Sequence, residues 1–408
     1  MIALKDLSPK ELFQIRYACA YLFSPELAKN NQFIQNLRLE SLRTAFRKKA
    51  KQYHPDLNNN DAPEILTRRQ ERFIKINDSY NVVKNYLSHK EYAQAGALKR
   101  DYPKIIAVGG AKGGIGKSMF VSNLGILLSS LGKSTTLIDL DLGGANLHLY
   151  LGETSIRKTI NDFLNKKARS LSDITMLSRY GPSFIGGDGS ELGAGNINYL
   201  RKLKLLKTIK QIDTEYIIMD LGGGTSYNTL DFFLAADCQI VITTCEPAAY
   251  LEAYSFVKVA LYRKLNRIFS SESKWNKQKD TELTAIIREA THTGSGNEIT
   301  SIHELIKIIK DSKPKHLNLI HQILKSFNPY LIVNMVNADS NYKDVVTRIQ
   351  DVSKKMLSIE VKYLGNFSFE YEVKNATNQL RPVLAKYPRG NFAKQMNGMI
   401  TKLWPNGM

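Results

Sequence analysis

The chain has only three cysteines in 408 residues, Cys19, Cys238 and Cys245, and none stands at the close pair spacing that holds zinc or an iron–sulfur cluster. So few thiols exclude a disulfide-stapled fold and point to a reducing compartment. No apolar run approaches the roughly 20 residues needed to cross a bilayer. The opening Met1-Ile2-Ala3-Leu4-Lys5 has the pattern of neither a secretory signal nor a transit peptide, so the expected location is cytoplasmic, with at most peripheral contact to the membrane or a cell pole. Internal repeats, low-complexity tracts and long basic runs are absent too. What is abundant is positive charge: 57 Lys and Arg against 38 Asp and Glu give +19, which draws phosphates, anionic lipid or acidic protein faces to a surface. With 43% hydrophobic residues, the length supports at least one large core and two or three domains.

Residues 1–87 read as a small all-α unit, with helical spacing and no strand-like alternation. A connector follows at 88–103, ending in Asp101-Tyr102-Pro103, whose proline stops any helix that enters it. From 104 to 408 short apolar strands alternate with helical segments, and strands are expected at 105–108, 135–139, 183–186, 216–220, 239–243, 331–334 and 360–364. Nearly continuous Val/Ile/Leu strands in such a rhythm predict an α/β fold with a mostly parallel sheet covered on both faces. Ligands of that architecture bind at the carboxyl ends of the strands. A long polar stretch at about 263–328 breaks the rhythm and is expected to be a helical insertion.

Directly after the first strand comes Lys112-Gly113-Gly114-Ile115-Gly116-Lys117-Ser118. Three glycines let the backbone curl so that successive N–H groups point inward, and the helix that follows adds a partial positive charge. Such a loop is a phosphate cradle of the P-loop NTPase type. In it Lys117 would reach the β- and γ-phosphates of a nucleotide, and the Ser118 hydroxyl would ligate Mg²⁺. Ala111 stands where the standard pattern has its first glycine, and a second lysine, Lys112, stands at the front. Two further strands end in carboxylates, Asp139-Leu140-Asp141 and Asp220-Leu221-Gly222-Gly223-Gly224, placing Asp139, Asp141 and Asp220 where they could position Mg²⁺, its waters or an attacking water.

Together these segments resemble the MinD/ParA family of deviant Walker A ATPases, and within it the flagellar-number-regulator branch. The 112–118 loop matches KGGxGK[ST], 139–147 resembles the DADLGLANV switch, and 220–224 resembles DxGAG. Thr243-Thr244-Cys245-Glu246-Pro247 is similar to TTPEP, Val333-Asn334-Met335-Val336 to an adenine-side NMV segment, and 381–388 to RPFVLAYP. The resemblance implies a P-loop ATPase in which Gly113, Gly114, Ile115, Gly116, Lys117, Ser118 and Met119 wrap the phosphates of ATP. It implies that Asn334 hydrogen-bonds adenine, that Asp141 orients the hydrolytic water, and that Asp220 holds Mg²⁺ through a water. Lys112 would cross to the phosphates of a second subunit, so that ATP joins a homodimer. Hydrolysis would be slow and open to acceleration by a partner. The chain departs from the pattern at Met119, where a second hydroxyl is common, at His148, where an acid often stands, at Cys245, and in lacking the proline that often follows the late strand.

In the N-terminal unit, a basic amphipathic helix with Leu42, Phe46 and Ala50 on one face runs into Tyr53-His54-Pro55-Asp56, and Phe73, Ile76, Tyr80 and Val83 repeat at helical spacing beyond it. This resembles a J-domain, whose His-Pro-Asp loop docks a DnaK-type heat-shock chaperone. The resemblance implies a chaperone contact through His54, Pro55 and Asp56. The polar segment 24–35 is longer than the usual turn between the first two helices. DNA ranks below the chaperone as a partner, because the basic residues of that helix lack interleaved aromatic stacking residues, Phe46 lying on its apolar face.

The last helical segment, 392–404, puts Phe392, Met396, Met399, Ile400, Leu403 and Trp404 on one side, either to touch membrane or to pack on the sheet. The expected function is an ATP-dependent dimerising switch that places or counts a flagellar, division or polar structure. The alternatives are an adaptor for a DnaK-type chaperone and a DNA-partitioning ATPase.

Overall fold

The computed structural model describes residues 9–37, 39–53, 105–189, 197–270, 280–290 and 301–404, and between 64 and 87 positions 64–65, 68–69, 71–73, 75–76, 78–80, 82–83 and 87. It divides into two compact units, Met1–Asp101 and Tyr102–Met408.

The first unit is helical among its described residues: α1 (Pro9–Leu22), α2 (Pro25–Lys29), α3 (Asn31–Asn36), α4 (Leu39–Tyr53) and helical positions from 64 to 87. Its core joins Ile15, Ala18, Cys19 and Leu22 of α1 to Leu42 of α4 and to Ile76, Val83 and Leu87. Phe46 meets Tyr80 at a 4.4 Å ring separation, joining α4 to the helical residues expected opposite it. The long polar segment at 24–35 is not an open turn. The Ser24 hydroxyl caps α2 and the Asn30 side chain caps α3, each accepting from backbone N–H groups that would otherwise lack partners. Ala28 and Ile34 are buried beneath these two short helices.

The second unit holds a sheet in the order β3-β4-β2-β5-β1-β6-β7-β8. Its strands are β1 (Ile105–Gly109), β2 (Thr135–Leu140), β3 (Met176–Leu177), β4 (Ser183–Ile185), β5 (Tyr216–Leu221), β6 (Cys238–Thr243), β7 (Tyr330–Val336) and β8 (Lys362–Ser368). Every pairing is parallel except β3 with β4, a two-residue edge strand that sequence patterning missed because it is too short for a period. In β1, Ile105 and Ala107 face one core and Ile106 and Val108 the other, the alternation that a strand covered on both sides produces.

One face is covered by α6 (Tyr199–Ile209), α7 (Tyr227–Ala235), α8 (Pro247–Phe269), α9 (Thr281–Glu289), α10 (Ile302–Ser312), α11 (Leu317–Ser326) and α12 (Tyr342–Val352). Arg263 sits inside the continuous helix α8, and Leu283, Ile287, Leu305, Ile309 and Ile320 join the same core as the sheet. The stretch expected to be an insertion therefore thickens the helical layer of the main fold. The other face is covered by α5 (Lys117–Ser130), α13 (Tyr371–Asn378) and α14 (Asn391–Leu403). On it α5 and the sheet approach so closely that a Cβ at Gly125 would come within 2.5 Å of the Leu137 side chain.

The apolar side of α14 is spent on the sheet. Phe392, Met396, Met399, Ile400, Leu403 and Trp404 are buried, Phe392 stacks on Phe367 at 4.7 Å, and Trp404 meets Tyr216 edge-on at 5.6 Å. Of the two uses expected for that face, the structure shows packing on the sheet, and inserting it in a membrane would uncover the core beneath. No helix among the described residues is long and apolar enough to cross a membrane.

Candidate nucleotide site

The order of the strands reverses around β1, and the sequence motifs collect at the carboxyl ends of β1, β2, β5 and β7. From β1 the chain runs through loop 110–116 into α5. Gly114 (φ +75°) and Gly116 (φ +93°) take left-handed conformations there, open to glycine at little cost and strained for other residues. Asn334 on β7 buries its side chain against Gly116 and donates Nδ2–H to the Ile115 carbonyl at 2.8 Å. That bond ties the loop to the far side of the site and leaves Asn334 Oδ1 as the free acceptor, the polarity an adenine amino group needs.

Lys117, only 8% exposed, donates to the Lys112 carbonyl at 3.0 Å. Burial pushes its ammonium below the usual lysine value, and the Asp220 and Asp141 carboxylates work against that push. Asp220 is the electrostatic centre of the site. Both its oxygens are buried with no hydrogen-bond partner of good geometry, and burial, followed by the nearby Asp139 carboxylate, raises its pKa well above the ordinary range. The Ser118 hydroxyl and the Lys117 ammonium favour its ionised form. A buried carboxylate without a partner, beside a hydroxyl, fits a hard divalent cation that takes its remaining ligands from water and phosphate.

Asp139, also expected near the metal, has both oxygens engaged by backbone. Its Oδ1 accepts from the Asp141 N–H at 3.1 Å and its Oδ2 from the Leu147 N–H at 3.0 Å. Its lone pairs organise the loop after β2 and thereby aim Asp141. Around Asp141 the wall is built of glycine: a Cβ at Gly222 would fall 2.8 Å from its Oδ1, and one at Gly144 3.3 Å from its Oδ2. Gly224 donates its N–H to the Ala111 carbonyl at 2.8 Å, locking the β5 glycines to the front of the phosphate loop.

Beside the loop opens a cavity of about 260 Å³, lined among others by Gly116, Met119, Asn334, Met335, Phe369 and Lys374. An irregularity in the β7–β8 register puts Met335 in a left-handed conformation (φ +56°) at its edge. Phe369 and α13 supply part of the wall, a contribution invisible in the sequence because nothing local marks 371–378 as facing the site. Lys112 ends in an ion pair with Glu246 at 2.6 Å, another partnership that motif spacing did not reveal. Thus Lys112, Gly113, Gly114, Ile115, Gly116, Lys117, Ser118, Met119, Asp139, Asp141, Asp220 and Asn334 converge, whereas His54, Pro55 and Asp56 lie outside the described residues.

Residues 106–383 match the CobQ/CobB/MinD/ParA nucleotide binding domain. The chain belongs to that family. Ahead of its CobQ/CobB/MinD/ParA domain, residues 34–93 match the DnaJ domain. Within the family the chain is 20% identical over 306 residues to the antiactivator FleN of Pseudomonas aeruginosa, covering 74% of this chain and 87% of that protein. Over 164 residues it is 32% identical to the flagellum site-determining protein YlxH of Helicobacter pylori, covering 38% of this chain and 53% of that one. Among solved CobQ/CobB/MinD/ParA structures, the MinC:MinD cell division protein complex of Aquifex aeolicus aligns with a TM-score of 0.49 at 18% identity, over 75% of this chain and 97% of that chain.

Proposed function

We propose that this chain hydrolyses ATP and uses the ATP state to join two copies of itself, as a switch that places or counts a cellular structure. The observation that carries the reading is Asp220, a buried carboxylate with both oxygens free, set between Lys117 and the Ser118 hydroxyl at the mouth of a glycine loop. Backbone N–H groups of that loop and the N-terminus of α5 bind the phosphates, and Lys117 exchanges its carbonyl partner for phosphate oxygen. Ser118 and Asp220 would hold Mg²⁺, which would supply positive charge to offset that developing on the transferred phosphate. Asp141, oriented by its Asp139 contact, positions the attacking water, while Asn334 Oδ1 accepts from the adenine amino group. Lys112 leaves Glu246 to reach the phosphates bound by the second copy.

Size-exclusion chromatography of the full chain tests this. It is expected to elute as a dimer with Mg²⁺ and ATP and as a monomer with ADP. Asp141→Ala is expected to stay dimeric with ATP while hydrolysis stops, and a monomeric Asp141→Ala chain under those conditions overturns the reading. The spatial role is supported by the names of the flagellar relatives. Counting flagella or polar assemblies in cells lacking the chain tests it, and unchanged number and position argue against it.

The DnaJ match over 34–93 favours a second activity, recruitment of a DnaK-type chaperone through His54, Pro55 and Asp56. The chain would then raise chaperone ATP turnover, and His54→Gln would abolish the effect. No stimulation by the unaltered chain rules this activity out.

A further inference from the structure

Tyr150 closes the helical turn Leu147–Tyr150 that follows the Asp141 loop, and it lines the cavity beside the phosphate loop together with Gly114, Gly116 and Met119. The turn is fixed from two directions. The Leu147 N–H donates to Asp139 Oδ2 at 3.0 Å, and Leu147 and Leu151 are buried in the apolar cluster that also contains Met119. The carboxylate that aims Asp141 therefore also sets the turn that carries Tyr150. The half-buried ring packs on the same cluster, yet among the described residues its hydroxyl has no hydrogen-bond partner. A phenol set into an apolar wall ordinarily finds one. Burial raises the Tyr150 pKa and the Asp220 carboxylate raises it further, so the hydroxyl keeps its proton near neutral pH and lies within range of the charge at the phosphate end of the cavity.

Met119 accounts for the vacancy that this hydroxyl can fill. It follows Ser118 on the first turn of α5 and sits in the cavity wall, where its thioether donates no hydrogen bond. We propose that the Tyr150 hydroxyl donates to the α-phosphate of the bound nucleotide, the contact that Met119 cannot make. The inference rests on the reading of this cavity as an ATP site. Order along the loop locates the contact: Lys117 serves the β- and γ-phosphates and Ser118 the metal, so the next wall residues toward the base, Met119 and Tyr150, face the α-phosphate before the adenine reaches Asn334. The sensitivity of Tyr150 to Asp220 likewise puts its hydroxyl at the phosphate end and away from the base. ATP and ADP share the α-phosphate, so Tyr150 holds the nucleotide in both states.

Isothermal titration calorimetry of the full chain with Mg²⁺–ATP and with Mg²⁺–ADP tests the inference. Tyr150→Phe keeps the ring and removes only the hydroxyl. It is expected to weaken both nucleotides about tenfold, the scale of one hydrogen bond to a charged group. In hydrolysis the loss should appear in KM more than in kcat, because the contact is made in ground and transition states alike. Met119→Thr should restore affinity to the Tyr150→Phe chain by returning a hydroxyl to the opposite part of the wall. The two diastereomers of ATP carrying sulfur on the α-phosphate give a second measurement that does not depend on how Met119→Thr folds. The unaltered chain should prefer one of them, and Tyr150→Phe should narrow the preference. An unaltered chain that binds no Mg²⁺–ATP defeats the nucleotide reading itself. Where it binds, equal affinity in Tyr150→Phe, a loss confined to ATP, or no narrowing of the diastereomer preference overturns this inference alone.

Discussion

Lys112 Nζ sits 2.6 Å from Glu246 Oε2, so the first lysine of the phosphate loop is held by the residue that opens the helix after β6. The hydrogen bond to Glu246, and then its charge, raise the Lys112 pKa further. The same ammonium cannot hold Glu246 and contact a second copy's phosphates with equal strength.

Freeing the lysine should therefore favour pairing. Glu246→Ala is expected to tighten the ATP-dependent dimer, by no more than a few-fold because the pair is exposed and screened. Lys112→Ala should abolish the dimer while ATP still binds. Sedimentation velocity at graded protein concentrations measures both, and a weaker dimer in Glu246→Ala would mean that Glu246 itself belongs to the paired state.

Asp220 places a buried, unpaired carboxylate where the fold alone would prefer a neutral group. Asp220→Asn is expected to leave the nucleotide-free thermal midpoint unchanged or raised. It should remove the added stabilisation by Mg²⁺ and ATP, and with it hydrolysis. A large fall in the nucleotide-free midpoint would show that Asp220 is ionised and structurally required without ligand.

Asp231 on α7 is the opposite case, a buried carboxylate fully engaged. Arg263 donates to both its oxygens at 2.9 Å, Lys202 pairs with it, and Arg267 lies 3.5 Å away. Burial pushes its pKa up, but the Arg263 and Lys202 hydrogen bonds and the surrounding charge outweigh that and hold it below the ordinary value. A depressed native pKa contributes stability above the unfolded pKa of 3.8 and loses it as pH falls through the native value. Asp231→Asn should cost about 3–5 kcal/mol near neutral pH by stranding buried cations. Its denaturation curve should also depend less on pH below 4 than that of the unaltered chain, and equal acid sensitivity would contradict this account.

The C-terminal helix should behave as core. Trp404→Ala is expected to destabilise the chain by about 3–5 kcal/mol, as loss of a buried aromatic does. Co-sedimentation with anionic vesicles should be no weaker per folded molecule. A stable variant with lost vesicle binding would return the helix to the membrane.

How much of this was legible depended on whether the signal was local. The β1 strand, the 112–118 loop and the carboxylates at the ends of β2 and β5 could be read directly, because a strand end followed by glycine and a polar residue is written within a few positions. Asp139 was legible as a strand-end acid but not as a loop organiser, since its partners are the N–H groups of Asp141 and Leu147, and any sequence supplies N–H groups there. The amphipathic pattern of α14 declared an apolar face without declaring its destination. In the first unit, Tyr21 lies 28 residues before Lys49 and 51 before Arg72, and no spacing rule links them, although all three line one groove.

By itself the sequence determined the α/β rhythm, the phosphate cradle with its extra lysine, and the basic helical unit ahead of them, because periodicity and turn chemistry act over a few residues. Only the tertiary structure decided which groups have partners. It left both Asp220 oxygens free, occupied those of Asp139, paired Lys112 with Glu246, buried the last helix and brought Tyr150 to the nucleotide cavity. Hydrogen-bond satisfaction and burial depend on segments far apart in the chain, so they exist only once those segments meet.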